Sequence, residues 1–242
     1  MRIVAIVQAR IASSRLPGKV LMDLGGKTVL ARVVQRVKRA ALANQTVVAT
    51  SMSPKDDAIV SECERIQVHC FRGSEHDVLD RYYTCAKHCA PDAVVRITAD
   101  CPVIDPEIVD KTIRAFLDNP CDYAGNALVP TYPRGLDVEV FTAAALAAAW
   151  REARHHYERE HVTPYLCEHP ELFRLVSVMG DADHSQYRWT LDTAEDLELL
   201  RAIHSRFSKR DDFGWREVLN LMQSEPQLTE INAYVMQKAV HA

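Results

Sequence analysis

The chain is poor in glycine, has no long apolar segment and carries little excess charge. Only 8 of its 242 residues are glycine, and the G-x-G-x-x-G fingerprint of dinucleotide-binding folds is absent. The tripeptide Gly26-Lys27-Thr28 resembles the end of a Walker A loop, but that motif requires a glycine where this chain has Leu21. The sequence therefore supports neither a Rossmann dinucleotide site nor a P-loop nucleoside triphosphatase.

No run of apolar residues approaches the roughly 20 that a membrane-spanning helix needs. Residues 1–8 also lack the apolar region and cleavage site of a signal peptide. A net charge of −4 argues against a general nucleic-acid-binding surface, although it leaves room for a local basic pocket. We therefore expect a cytoplasmic protein that acts on small molecules, with no nucleic-acid or membrane partner.

The 7 cysteines are an odd number in a chain without a secretion signal, which predicts free thiols. Two segments rich in cysteine or histidine have spacings unlike those of zinc sites. They are Cys85, His88 and Cys89 in one segment, and His155, His156 and His161 in the other. We expect no zinc at either segment.

Apolar strands and amphipathic helices alternate along the first 120 residues. The pattern predicts strands over 3–7, 47–50, 67–71 and 93–98, with helical spacing of apolar residues between them. Such a β-α-β-α-β-α-β order is typical of a parallel sheet with helices on both faces. We therefore expect an α/β fold in a single domain spanning 1–242.

The pattern changes after residue 120. Short extended runs at 137–141 and 174–179 flank two helical stretches between 142 and 168. We interpret 121–186 as an arm inserted in the α/β core that completes the site from the other side. A strand over 187–191 is then expected to re-enter the sheet, and the tail over 214–240 is expected to be helical and to pack on the outside.

A basic loop directly follows the first predicted strand. It contains three cations and two hydroxyls, broken by Pro17 and Gly18: Arg10, Ser13, Ser14, Arg15 and Lys19. In an open parallel sheet, ligands bind just beyond the carboxyl ends of the strands. Guanidinium groups, an ammonium and exposed amides suit a polyphosphate. The alternative is an ordinary solvated loop between a strand and a helix.

Two aspartates are each predicted to follow a strand of the sheet. Asp100 comes after the apolar strand over 93–98, and Asp192 comes after the strand over 187–191. Two carboxylates that meet over one sheet edge would suit Mg²⁺, with triphosphate oxygens and water completing the octahedron. Taken singly, each aspartate is explained as well by a helix cap or a turn; their position opposite a cationic loop favours the metal.

Three further segments have both a functional and a plain structural interpretation. Arg72-Gly73 follows the third strand and either approaches a flat base or forms an ordinary turn. Arg134 would clamp a carboxylate, while Asp137 and Glu139 would hold hydroxyls or metal; alternatively, these residues pair with each other across the arm. Asp181-Ala-Asp183 has the D-x-D form of glycosyltransferase metal sites, and is also typical of a solvated turn.

The chain resembles a known family. Residues 7–30, V-Q-A-R-x-x-S-S-R-L-P-G-K-V-L-x-x-L-x-G-K-x-x-L, are similar to the signature of cytidylyltransferases that activate acidic sugars. The similarity is greatest to the SpsF-like branch of spore-coat polysaccharide synthesis, which is related to the CMP-Kdo and CMP-sialate synthetases. It continues in order through 73–82, 98–106, 133–139, 160–165 and 189–197, and so extends to about residue 206.

The resemblance implies a GT-A-like nucleotidyltransferase fold, and a homodimer with the arm at its interface. It implies a CTP site made by Ala9, Arg10, Ser14, Arg15, Lys19, Arg72, Gly73 and Thr98, and Mg²⁺ bound by Asp100 and Asp192. It also implies a sugar site made by Arg134, Asp137, Glu139, Glu160 and His161. The chain departs from the CMP-Kdo enzymes in one motif, since it has T-A-D-C-P at 98–102 where they have Q-G-D-E-P. The sugar and the base therefore cannot be copied from those enzymes.

The reaction implied is attack by a sugar hydroxyl on the α-phosphorus of CTP, giving a CMP-sugar and pyrophosphate. Arg10, Arg15, Lys19, Asp100 and Asp192 are the residues expected to carry it. One alternative is a glycosyltransferase of the same fold that uses Asp181 and Asp183 for its metal and consumes a nucleotide sugar. Another is a nucleotide-binding protein without catalysis that partners a biosynthetic enzyme.

Overall fold

The computed structural model describes residues 1–208 and 210–238. Its strands are β1 (Ile3–Gln8), β2 (Gln45–Ser51), β3 (His69–Gly73), β4 (Ala93–Thr98), β5 (Tyr123–Gly125), β6 (Glu139–Thr142) and β7 (Leu175–Ser177). Its α-helices are α1 (Val29–Val37), α2 (Asp57–Arg65), α3 (Val78–Cys89), α4 (Pro106–Asp118), α5 (Ala143–Glu152), α6 (His156–His161), α7 (Pro164–Glu168), α8 (Ala194–Arg206), α9 (Trp215–Ser224) and α10 (Gln227–Glu230). Short 3-10 turns cover Lys19–Leu21 and Pro54–Asp56.

The strands form one seven-stranded sheet in the order β3-β2-β1-β4-β6-β5-β7. Strands β3, β2, β1 and β4 run parallel, as the alternating sequence pattern predicts. Strand β6 is antiparallel to both β4 and β5, whereas β5 and β7 are parallel to each other. The expected α/β fold with a mostly parallel sheet is confirmed.

Apolar side chains cover both faces of the sheet. One face packs against α1, α4, α8 and α9 through residues such as Val33, Ile113 and Leu200. The other face packs against α3 and α5 through Tyr82 and Leu146, among others. Strands β1 and β4 are buried along most of their length, which explains their nearly continuous apolar runs.

Residues 121–186 contribute β5, β6 and β7 to the edge of the central sheet, with α5, α6 and α7 between β6 and β7. The two helical stretches expected between 142 and 168 are therefore present. The limits of an arm at 121–186 remain a prediction.

Two expectations for the later part of the chain were wrong. Residues 187–191 are not a sheet strand; they make a single bridge, in which Arg188 lies beside Arg134. The tail is helical only as far as α10, since 231–238 form turns and irregular structure. Residues 239 and 240 of the predicted tail helix lie outside the described residues. All 7 cysteines are free thiols, as expected.

Within the described ranges, no helix is both long and apolar enough to span a membrane.

Candidate active site

The basic loop that follows β1 is held in a defined shape by its own backbone. The amide of Gly18 donates to the carbonyl of Ile11 over 2.9 Å, which closes the loop. Gly18 has a φ of +72°, a conformation that glycine adopts without a steric penalty. The amide of Ile11 donates to Asp56, 2.8 Å away, whose carboxylate is buried and also accepts from the amide of Ser51. We call residues 9–19 the phosphate loop below, after the role that the sequence predicts for them.

Lys19 leaves this loop and places its ammonium between two carboxylates. The Nζ atom lies 2.7 Å from Asp100 Oδ2 and 2.8 Å from Asp192 Oδ1. It also donates to the carbonyl of Leu191 over 2.7 Å. Asp100 and Asp192 are therefore brought to one point, as the sequence predicted.

The electrostatics of this cluster shift the pKa values of Lys19 and Asp192. Burial disfavours the Lys19 ammonium, but Asp100 and Asp192 outweigh that effect and raise the pKa of Lys19 above its ordinary value. Burial also opposes the Asp192 carboxylate, yet Lys19, Arg188 and Arg15 together lower the pKa of Asp192 to about 2. The Lys19 ammonium and the Asp192 carboxylate are therefore both charged across the neutral range.

Asp192 is held by two arginines besides Lys19. Arg15 of the phosphate loop lies 2.8 Å from Asp192 Oδ2, and Arg188 lies 2.7 Å from the same atom. Arg188 also binds Asp196, which is completely buried at the first turn of α8. Asp196 in turn accepts hydrogen bonds from the amides of Asp192 and Thr193. The position of Asp192 is thus set by this network, and not by the end of a sheet strand.

The two carboxylates fit a magnesium ion. Asp100 and Asp192 already share one cation, the Lys19 ammonium, at distances below 3 Å. Among the described residues, no group of three or more histidine, cysteine, aspartate or glutamate side chains is arranged to hold a metal. Magnesium is characteristically bound by one or two carboxylates together with substrate phosphates and water. A pair of carboxylates beside a phosphate loop meets that requirement.

The residues implied in sugar binding lie in two groups. Glu160 lies 3.1 Å from Arg10, so the end of α6 contacts the start of the phosphate loop. His161 follows it, and burial lowers the pKa of this imidazole, which favours its neutral form. This group is therefore adjacent to the expected phosphate site.

The second group is Arg134, Asp137 and Glu139, which lie just before β6 and at its first residue. Arg134 is exposed, and its backbone pairs with Tyr187 and Trp189. Burial raises the pKa of Asp137, whose Oδ2 accepts from the amide of Gly135 over 3.2 Å.

Glu139 is committed to internal contacts. It is buried, it forms an ion pair with Arg96 on β4, and it accepts from the Tyr123 hydroxyl over 2.8 Å. The expected alternative of pairing within the arm holds only for the contact with Tyr123, since the ion-pair partner Arg96 lies outside 121–186. Its role toward a sugar remains a prediction.

The remaining nucleotide candidates lie at the ends of neighbouring strands. Arg72 donates to the carbonyls of Ser51 and Ser53 and to Asp57, so its guanidinium clamps the segment after β2. Gly73 ends β3, where an added Cβ would lie 3.0 Å from Arg81 Cγ. A contact of either residue with a base remains a prediction.

Ala9 and Thr98 extend β1 and β4 side by side. Ala9 donates to the carbonyl of Ala49 over 3.1 Å, and Thr98 pairs in register with Gln8. The Thr98 hydroxyl lies 3.2 Å from the buried Cys101 thiol. Ala9 and Thr98 therefore lie at the carboxyl ends of two adjacent parallel strands, and Asp100 follows the second of them.

Asp181 and Asp183 lie apart from this cluster. Asp183 Oδ1 accepts from the amide of Ser185 over 2.9 Å, and the neighbouring His184 amide donates to Thr131. Their loop is exposed, which matches the solvated turn. The D-x-D motif is therefore not part of the two-carboxylate site.

Two residues that support the site cannot be identified from sequence patterns alone. Arg188 holds Asp192, and Asp56 holds the phosphate loop. Arg188 precedes Asp192 by four positions, but that spacing is common in any chain. Only the fold shows that Asp56, far from the loop in sequence, binds its backbone.

The comparisons with known proteins agree with this geometry. A family model described as cytidylyltransferase matches residues 4–236. The spore coat polysaccharide biosynthesis protein SpsF of Bacillus subtilis is 36% identical over 231 residues, covering 93% of this chain and 95% of that protein. A 3-deoxy-manno-octulosonate cytidylyltransferase of Trichlorobacter lovleyi is 36% identical over 122 residues, 50% of this chain and 47% of that enzyme.

A solved structure shows the same fold over nearly the whole chain. The cytidylyltransferase from Leptospira borgpetersenii superimposes with a TM-score of 0.91 at 32% identity, covering 99% of this chain and 100% of that one. The family model covers nearly all of the chain, and this structural relative is similar over its whole length. The chain belongs to the cytidylyltransferase family and is a cytidylyltransferase.

Proposed function

We propose that this enzyme transfers CMP from CTP to a hydroxyl of a sugar acid and releases pyrophosphate, as a step in the synthesis of a surface polysaccharide. The observation that carries the proposal is the pair of salt bridges that Lys19 forms with Asp100 and Asp192 beside the phosphate loop. It offers cations for a polyphosphate and carboxylates for a divalent metal within one small volume. The 3-deoxy-manno-octulosonate cytidylyltransferase supports a sugar acid as acceptor, and the SpsF relative supports a role in polysaccharide synthesis.

In this proposal the phosphate loop binds the triphosphate. Lys19 and Arg15 neutralise the charge that develops on the departing pyrophosphate, and Arg10 and Ser14 orient its oxygens. Phosphoryl-type displacements need positioning and charge neutralisation more than covalent participation by the enzyme. Fixed cations in a cleft that excludes water contribute on the order of several kcal/mol to such a transition state.

Asp100 and Asp192 would hold Mg²⁺ in this proposal. The chemistry that the ion supplies when bound is polarisation of the α-phosphoryl oxygen and a lower pKa for the attacking hydroxyl. Arg188 keeps Asp192 oriented toward Asp100, since it binds the oxygen of Asp192 that Lys19 leaves free. Removal of divalent metal with EDTA should abolish turnover, and added Mg²⁺ should restore it.

The sugar acid would lie between the start of β6 and the end of α6. Arg134 is exposed there and offers a guanidinium to a carboxylate, while Asp137 accepts from sugar hydroxyls. Glu160 and His161 would approach the sugar from the side of Arg10. The base of CTP would lie against Gly73, with Arg72 shaping the loop beside it.

The deciding experiment measures pyrophosphate release from CTP and Mg²⁺ with a panel of nonulosonic and related sugar acids. ATP, GTP and UTP serve as controls for the base. Release that depends on both CTP and one sugar acid would support the proposal and identify the acceptor. Release with a neutral sugar alone, or with another nucleotide, would contradict it.

We also propose a cytoplasmic homodimer. Three of the exposed large apolar side chains, Val129, Leu172 and Met179, lie in 121–186, the segment expected at the interface. Light scattering coupled to size-exclusion chromatography would test the dimer. A monomer at micromolar concentration would rule it out.

A further inference from the structure

The segment 232–238 runs from the end of α10 back to the active site. Asn232 is buried, and its side-chain amide donates to the Arg188 carbonyl over 3.0 Å and to Asp196 over 2.8 Å. Further along, Gln237 Oε1 accepts from Arg188 Nη1 over 2.7 Å. Arg188 is the residue that holds Asp192, so this segment is fixed to the support of the two-carboxylate site.

The segment ends against the phosphate loop. Lys238 Nζ donates to Ser14 Oγ over 3.3 Å, across 224 positions of sequence. The ammonium is exposed on the side of the loop where Ser14 is exposed as well. A lysine from the far end of the chain thus stands beside a residue expected to bind phosphate.

The charges at the loop distinguish Lys238 from the other cations. Arg10 is paired with Glu160, Arg15 with Asp192, and Lys19 with both Asp100 and Asp192. Lys238 forms no ion pair with a carboxylate in the part of the chain that the structure describes; its contact here is a hydroxyl. Its charge is therefore available to an anionic ligand without breaking a salt bridge.

We propose that 232–238 completes the phosphate-binding site, and that Lys238 is a further cation for the polyphosphate, beside Ser14. The proposal rests on the proposed function in taking the ligand to be the triphosphate of CTP. An ammonium on a flexible stem binds phosphate as a point charge, so Lys238 can follow the polyphosphate as it enters. Gln237 and Asn232 hold the segment in place for that contact.

The test compares Lys238→Ala, Lys238→Arg and the control Lys87→Ala, which removes an exposed lysine on α3, across the sheet from α8 and Asp192. Affinities for Mg²⁺-pyrophosphate and for Mg²⁺-CTP are measured by calorimetry, together with KM for CTP, kcat and Tm. We expect Lys238→Ala to weaken both ligands by about 3- to 10-fold, in the range of one exposed charge contact. Lys238→Arg should recover most of the affinity, and Lys87→Ala should match the unmodified protein.

If the role of Lys238 is structural, Lys238→Ala should lower Tm and Lys238→Arg should not restore it. If Lys238 contacts phosphate, Lys238→Ala should raise KM for CTP and leave Tm unchanged. Equal affinity of Lys238→Ala and the unmodified protein for pyrophosphate would overturn the proposal, as would no binding of pyrophosphate by the unmodified protein. Binding of pyrophosphate and CTP that depends on Lys238, without CMP transfer to any sugar acid, would refute the proposed function instead and leave this inference standing.

Discussion

The Lys19 ammonium lies 2.7 Å from the Asp100 carboxylate, although 81 positions separate them in sequence. Lys19 is mostly buried, with 8% of its surface exposed, so its charge depends on this contact and on the matching contact to Asp192. A buried lysine held between two carboxylates is costly to assemble, because three charges lose their hydration. A polyphosphate and a divalent ion would replace these contacts with stronger ones, which links the arrangement to the reaction.

Asp100→Asn should nearly abolish turnover while leaving the fold intact. The substitution removes one of two carboxylates expected to hold the metal but keeps the size of the side chain and an acceptor for Lys19. Steady-state kinetics and circular dichroism would measure the two effects. Asp183→Asn is the control, because that exposed aspartate lies in the D-x-D turn away from the site. A well-folded Asp100→Asn enzyme with near-normal kcat would remove the metal role.

Lys19→Ala should reduce the rate of the chemical step, by about 100-fold or more if the ammonium neutralises the leaving group. Its raised pKa means that the unmodified lysine stays charged through neutral pH and well above it. Single-turnover kinetics would separate chemistry from CTP binding. Lys27→Ala, which removes a cation paired with Asp211 outside the site, serves as the control. An unchanged kcat/KM for CTP would take Lys19 out of the active site.

The stability contributed by Asp192 should depend on pH in the acid range. The carboxylate has a folded-state pKa of about 2 against an ordinary 3.8, so its contribution is fully present above pH 4 and is lost as pH falls toward 2. It amounts to roughly 2 kcal/mol. Denaturant unfolding of the unmodified protein and of Asp192→Asn should therefore give curves that converge as pH falls from 5 to 2. A difference that stays constant or widens would contradict this assignment.

Gly135→Ala should destabilise the protein by about 2–4 kcal/mol. Gly135 has a φ of +104°, and an added Cβ would lie 2.7 Å from the backbone carbon of Trp189. The clash would push apart the bridge between Arg134 and Arg188, and with it the support of Asp192. Gly26→Ala is a matched control, since it has a φ of +83° with no atom within 4 Å of the new Cβ. Equal losses in the two variants would show that the close approach to Trp189 carries no cost.

The buried pair of Arg96 and Glu139 should behave as a coupled unit. Removing one partner leaves an uncompensated buried charge, so Glu139→Gln and Arg96→Met should each lose about 3–5 kcal/mol of unfolding free energy. The double variant should lose less than the sum, which chemical denaturation of all three would show. Additive losses would mean that the pair is not coupled. If Glu139 binds the sugar instead, Glu139→Gln would raise KM for the sugar with little loss of stability.

Most of the strands and helices could be predicted because the central strands β1 and β4 are mostly apolar and the long helices each have an apolar face. One failure is 187–191, whose alternation resembles a strand. In the structure, the backbone of 187–191 makes one bridge, between Arg188 and Arg134. The amide of Leu191 also donates to the Asp100 carbonyl. Local alternation cannot distinguish a strand from a segment that is pinned at a few points by its neighbours.

The candidate site was predictable where residues are adjacent in sequence. Arg10, Ser14, Arg15 and Lys19 share one short loop, so their chemistry is visible in the primary structure. Glu139 was ambiguous, because nothing in the sequence shows that Arg96 lies opposite it on the neighbouring strand. The contact of Lys238 with Ser14 cannot be read from the sequence, since the predicted tail helix extends past the point where the chain turns back.

The sequence by itself determined the α/β class, the cationic loop after the first strand, and the two aspartates as candidates for a metal. These depend on composition and on spacing along a few residues, which local physical rules describe. Tertiary structure alone decided that Lys19 lies between Asp100 and Asp192, that Arg188 and Asp196 hold Asp192, and that Lys238 reaches Ser14. The lysine contacts join residues that are 81 to 224 positions apart in sequence, and the contacts of Asp192 depend on a buried network. They form because the whole sheet packs, and no single segment determines them.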